Sequence, residues 1–220
     1  MLNLVMKDII VQKKSIAFAV LYIFFFIVAF QSVGEMTFTC AITAFSYILV
    51  MGGFAYDDKN KADIMLNSLP LKRYNIVLAK YISLFVFMTL GTLVYFILEL
   101  VLRSTGFSFI KTYPITIESF TGAIFAVSIM HSFCLPIIFK FGYTKAKVIN
   151  FVIFFAFFFG VSQLINYIYA KRNVGFAGKA FAFFENKPDY LIALAIIAAA
   201  ALLLLISYMI SLRVYKKREF

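Results

Sequence analysis

The chain has 220 residues, is 64% hydrophobic and has a mean hydropathy of +0.96; a soluble domain is about 45–50% apolar, so an ordinary water-exposed surface is excluded. The net charge of +11 would suggest nucleic acid in a soluble protein. Here the cations flank apolar blocks, where membrane topology and contact with anionic lipid account for them, and no nucleic acid partner is expected.

The first fourteen residues, MLNLVMKDIIVQKK, place Leu2, Val5, Met6 and Ile9 at helical spacing, with Ile10 beside them. Lys7, Asp8, Gln12, Lys13 and Lys14 fall mostly elsewhere on the wheel. The pattern predicts an amphipathic interfacial helix on the inner leaflet; the alternative is an extension of the first span. Lys13 and Lys14 ahead of an apolar run resemble the start of a signal peptide, but no small-residue cleavage site follows, and an uncleaved span is expected.

Six blocks reach the roughly 20 apolar residues that a membrane helix needs: 15–33, 36–56, 79–102, 117–139, 147–170 and 189–212. None alternates like a barrel strand, so helices are the spanning option. The expected fold is an all-α integral membrane protein, residues 1–220 forming one transmembrane domain. With the N-terminus inside, the inner segments carry fifteen cations and the outer ones six. Both termini are therefore expected to be cytoplasmic in a multi-pass cell-membrane protein.

Between the second and third blocks lies a polar island, DDKNKADIMLNSLPLKRYN. Asp57, Asp58 and Asn60 suit a helix N-terminus. Ala62, Met65, Leu66 and Leu69 fall at i, i+3, i+4 and i+7, Pro70 stops the helix, and Lys72 and Arg73 follow it. A short helix of about two turns is predicted. It either rests on the protein's own inner surface or inserts its apolar stripe into a groove of a cytoplasmic partner.

The catalytic inventory is thin. There is no GxxxxGK[ST], HExxH or GxSxG, which removes ATP hydrolysis, zinc proteolysis and the hydrolase elbow from this chain. The glutamates are scattered, without the pair an intramembrane CAAX-type protease requires. Cys40 and Cys134 are isolated within apolar blocks, and a solitary histidine builds no zinc site. Glu99 and His131 are the candidate pathway polar residues. Against that, Glu99 lies near a span end, where it can reach the interface or pair with Arg103, and His131 suits a hydrogen-bonded neutral histidine.

The polar island resembles the corresponding segment of permease subunits of type-2 ATP-binding-cassette exporters, the small bacterial kind with no fused ATPase. The resemblance rests on Asp57 or Asp58, Lys59, Leu66, Ser68, Leu69, Pro70, Leu71, Arg73, Ile76, Val77, Lys80 and Tyr81. A second patch, LPIIFKFGYTKAKVIN, is similar to the family's inner turn between spans four and five. Lys72 stands where Ser or Thr is common in the family, and Asp replaces a common Glu. The resemblance implies a half-transporter that pairs with a second copy or a paralogue. A separate cytoplasmic ATPase would carry ATP and Mg, this chain holding no cofactor and no catalytic site of its own. Asp57, Asp58, Lys59, Ala62, Met65, Leu66, Leu69, Pro70, Lys72 and Arg73 would form the coupling helix and its flanks, and the N-terminal helix would add a second contact at the membrane face. The implied cargo is a peptide, an antimicrobial compound or a lipid-like amphipathic molecule moving outward. The alternative is a stand-alone immunity or sensor-type protein that binds a toxin or signalling partner without transport.

Overall fold

The computed structural model describes residues 2–68, 72–105, 110–170 and 188–218. In chain order they form α1 (Leu2–Val11), α2 (Lys13–Ala29), a short 3-10 turn (Gln31–Val33), α3 (Met36–Lys59), α4 (Ala62–Ser68), α5 (Arg73–Ser104), α6 (Ile117–Phe141), α7 (Tyr143–Ala170) and α8 (Asp189–Lys216). No strand occurs among the described residues. The chain is an all-α membrane protein.

Five helices, α3, α5, α6, α7 and α8, are each long and apolar enough to cross a bilayer. The expected first span, 15–33, differs. Its helix α2 has 17 residues, about 26 Å at 1.5 Å per residue, against a hydrocarbon core of about 30 Å. α1 and α2 meet at a 59° bend, and the two together supply a sixth span when counted as one broken helix. The bend falls at Gln12, whose residue lies between the two helices.

Helix α3 is the axle of the bundle, packing on α2, α5, α6 and α7, while α8 lies along α6. Phe38, Ile42, Phe45 and Leu49 of α3 interlock with Leu84, Phe87 and Tyr95 of α5 and with Val127, Met130 and Leu135 of α6. Helix α7 turns Val148, Phe151, Val152, Phe155 and Phe159 outward. In lipid such side chains gain nothing from leaving the apolar solvent, so close packing and buried polar bonds hold the bundle together.

One of those polar bonds compensates for a break in α6. Pro136 lies inside the helix and lacks the N–H that would serve the Ser132 carbonyl four residues back. Ser207 of α8 donates its hydroxyl to that carbonyl at 3.0 Å. Its oxygen in turn lies 2.7 Å from the Tyr81 hydroxyl of α5, which also meets Ser211 at 2.9 Å. Since Ser207 spends its proton on the carbonyl, the order of donation is Ser211 to Tyr81 to Ser207 to Ser132.

Candidate functional site

The C-terminal ends of α3, α6 and α8 and the N-terminal ends of α5 and α7 share one end of the bundle with α1 and α4. Four charged side chains tie it together. Lys80 of α5 places Nζ 2.8 Å from Asp8 of α1 and 2.6 Å from Asp57 of α3. Lys7 lies 2.6 Å from the other Asp57 oxygen and 3.4 Å from Asp8. Ser83 donates to the second Asp8 oxygen at 3.0 Å. Asp8 and Lys80 are buried, so each charge depends on the alternating signs around it. Gln12 packs beside the same cluster, its amide without a hydrogen-bond partner among the described residues. Its fully buried amide occupies a notch opposite Gly52 and Gly53, where Cβ atoms would fall 3.0 and 2.8 Å from the amide atoms. Together these contacts fasten α1 and its hinge to α3 and α5.

Asp57 and Asp58 do not cap the short helix, as the sequence suggested; α3 continues through them to Lys59. Asp57 is committed to the two lysines, and Asp58 accepts from the Thr144 hydroxyl at the start of α7 at 2.6 Å. Asn60 donates back to the Tyr56 carbonyl at 2.9 Å. The turn passes through Lys61 at φ 51°, and its carbonyl receives the N–H of Ile64 and of Met65. Arg73, expected near the end of the short helix, opens α5 and reaches the last carbonyls of α8, Tyr215 at 3.3 Å and Lys216 at 2.8 Å, and that of Arg218 just beyond it at 3.2 Å. These are acceptors that a helix end leaves without intrahelical donors, and a cation complements them.

The short helix α4 thus sits between two anchored flanks. It is seven residues long, and its apolar side chains divide differently from the predicted stripe. Ala62 and Leu66 are buried, Leu66 at 5% exposure, while Met65 is 57% exposed and Ile64 58%. On a helical wheel Ile64 lies half a turn from the Ala62–Leu66 edge and Met65 about a quarter turn. Leu66 shares a recess with Leu4, Ile76 and Ala79, so it belongs to the protein's own core and is not available as a grip. Leu69 and Pro70 lie outside the described residues. Lys59, Lys61 and Lys72 are exposed.

Helix α1 is also sorted in an unexpected way. Val5 is buried and Ile9 half-buried, whereas Met6, Ile10 and Val11 are exposed; the Leu2 side chain is outside the described set. The inward edge carries Asp8 and Gln12, so the polar side faces protein and an apolar side faces outward, where lipid can cover it.

The two candidate pathway residues stand apart from this end and from each other. Glu99, near the far end of α5, is 5% exposed; no described cation lies within 4 Å of it, and Arg103 is exposed and not its partner. His131 is fully buried in α6 with Nδ1 2.8 Å from the Val127 carbonyl. Among the described residues no group of acidic, histidine and cysteine side chains is arranged to hold a metal.

Sequence reasoning missed Asp8, Gln12 and Ser83. A signal was present: an acid and an amide four residues apart in a mostly apolar segment mark a face that needs partners, and Lys80 with Asp57 are complementary charges near the ends of two spans.

No curated protein and no solved structure matches the chain. The family described as ABC-2 family transporter protein matches residues 3–216, which takes in every described helix, the ion cluster and α4. The chain therefore belongs to the ABC-2 family of transporter proteins, as a membrane permease component that works with an ATPase subunit.

Proposed function

We propose that this chain is the six-span membrane half of an ATP-driven exporter, seated through α4 on a separate cytoplasmic ATPase. Its bent α1–α2 pair serves as the first span, and both termini lie on the cytoplasmic side of the cell membrane. Two copies, or one copy with a paralogue, enclose the pathway. The cargo is a peptide, an antimicrobial compound or a lipid-like amphipathic molecule, and ATP and Mg bind the partner. Closure of the ATPase pair moves α4, and the braces at its flanks pass that movement to α1, α5, α7 and α8.

The observation that carries this reading is the pairing of exposure with anchorage in α4. Ile64 and Met65 are exposed, while the residues that flank the helix are tied to four other helices. An adjacent pair of large apolar side chains on an anchored element outside the spans suits a groove of a cytoplasmic partner. Supporting this, α4 closes the α3–α5 hairpin through the two-residue turn Asn60–Lys61, so its outward edge lies at the end of the bundle.

The test is co-purification of the full chain with its ATPase subunit, comparing the parent with Ile64→Asp plus Met65→Asp. The expected result is loss of the complex with the permease still folded, since both side chains are exposed. An intact complex with unchanged ATP hydrolysis would overturn the reading.

A further inference from the structure

The exposed charges around α4 say more about its partner than the helix itself does. Lys59 ends α3, Lys61 forms the turn and Lys72 precedes α5; all three are exposed, and none is in an ion pair with a described residue. Lys72 lies over the Tyr74 ring, 6.0 Å from its centroid. Asp63 is the single carboxylate between residues 59 and 72. The acids that precede this segment are already committed, Asp57 to Lys7 and Lys80 and Asp58 to Thr144.

Lys61 also holds an unusual backbone conformation. Its φ of 51° is a left-handed conformation that costs an L residue roughly 1–2 kcal/mol and that glycine adopts freely. Glycine or asparagine is the common occupant of such a position.

Resting on the proposed coupling role of α4, we infer that the ATPase surface receiving this helix is an apolar socket with an acidic rim. Ile64 and Met65 fill the floor, and carboxylates of the ATPase face Lys59, Lys61 and Lys72. The floor supplies affinity, while the rim sets the association rate and its sensitivity to salt. Anionic lipid headgroups are the competing counter-charge. The ATPase is favoured because the three lysines bracket the two exposed apolar side chains on an element beyond the ends of the spans, opposite the edge that α4 buries.

The experiment measures binding of the purified ATPase subunit to the full chain in lipid nanodiscs, at low and high salt, in zwitterionic and in anionic lipid. Lys59→Glu, Lys61→Glu and Lys72→Glu together are expected to lower affinity about tenfold or more at low salt, mainly through the association rate, with the difference shrinking at high salt and equal in both lipids. Lys61→Gly removes the strain with the charge and is expected to bind more weakly although it folds at least as well. Parent-like binding of the triple variant at every salt, while Ile64→Asp plus Met65→Asp abolishes binding, overturns the acidic rim and leaves the coupling role standing. Parent-like binding of the Ile64/Met65 variant overturns the coupling role itself. An effect confined to anionic nanodiscs assigns the lysines to headgroups and overturns the rim.

Discussion

Lys80→Met tests the ion cluster most sharply. The lysine ammonium separates two carboxylates, Asp8 at 2.8 Å and Asp57 at 2.6 Å, and the only other described cation in contact is Lys7, whose side chain is 26% exposed. Methionine fits the stem but leaves two acids facing each other around one partly solvated lysine. Removing one partner from a buried ion pair costs about 3–5 kcal/mol. At roughly 2–4 °C per kcal/mol for a chain of this size, the midpoint of thermal unfolding should fall by about 6–20 °C. The chain has no Trp, so the assay is a thiol-reactive dye in a Cys40→Ala background, which removes the partly exposed second thiol: Cys134 is fully buried and reacts only when α6 opens. Adding Asp8→Asn and Asp57→Asn to Lys80→Met removes the uncompensated charge and should recover at least half of the loss. If Lys80→Met melts within about 2 °C of the parent, the cluster is not holding α1 to α3 and α5, and the proposed route for moving α1 with α4 fails with it.

Three further outcomes follow from the packing. Ser207→Ala should cost about 1–3 kcal/mol by stripping the Ser132 carbonyl of its donor; with Pro136→Ala supplying a backbone N–H, that cost should largely vanish, a coupling readable in a double-mutant cycle of melting midpoints. Gly91→Ala puts a Cβ 2.7 Å from Cδ1 of the Phe45 ring and should destabilise by about 1–3 kcal/mol, whereas Gly160→Ala meets nothing within 4 Å and should gain up to about 1 kcal/mol from helix propensity, seen as opposite shifts in the same melt. Leu66→Ala should lower the midpoint as a core truncation worth about 2–5 kcal/mol, while Met65→Ala should leave it within about 0.5 kcal/mol and act on ATPase binding instead.

Composition and hydropathy were sufficient for the membrane, for helices instead of strands, and for the location of five spans, because in a bilayer every backbone polar group must be bonded within its own segment and only length and apolarity are left to vary. The polar island was legible for the same reason: charge is too costly inside the bilayer to be placed there casually. What periodicity could not assign was which side of a short helix meets its own protein. Ala62, Met65 and Leu66 are one stripe on a wheel, yet Leu66 is claimed by Leu4 and Ile76 across the fold and Met65 is not. Ile64, off the predicted stripe, became the more outward of the two exposed side chains for the same reason. Asp57 and Asp58 read as a helix cap because local sequence offers only local partners, whereas Lys7, Lys80 and Thr144 lie 50, 23 and 86 residues away. Likewise Asp8 and Gln12 looked like the wet face of an interfacial helix until α3 and α5 supplied a lysine, a serine and a pair of glycines to receive them. Sequence by itself determined the solvent of each segment, since that depends on the summed transfer free energy of nearby side chains. The tertiary structure decided the partners of each charge, since those depend on distances that only the packed helices set.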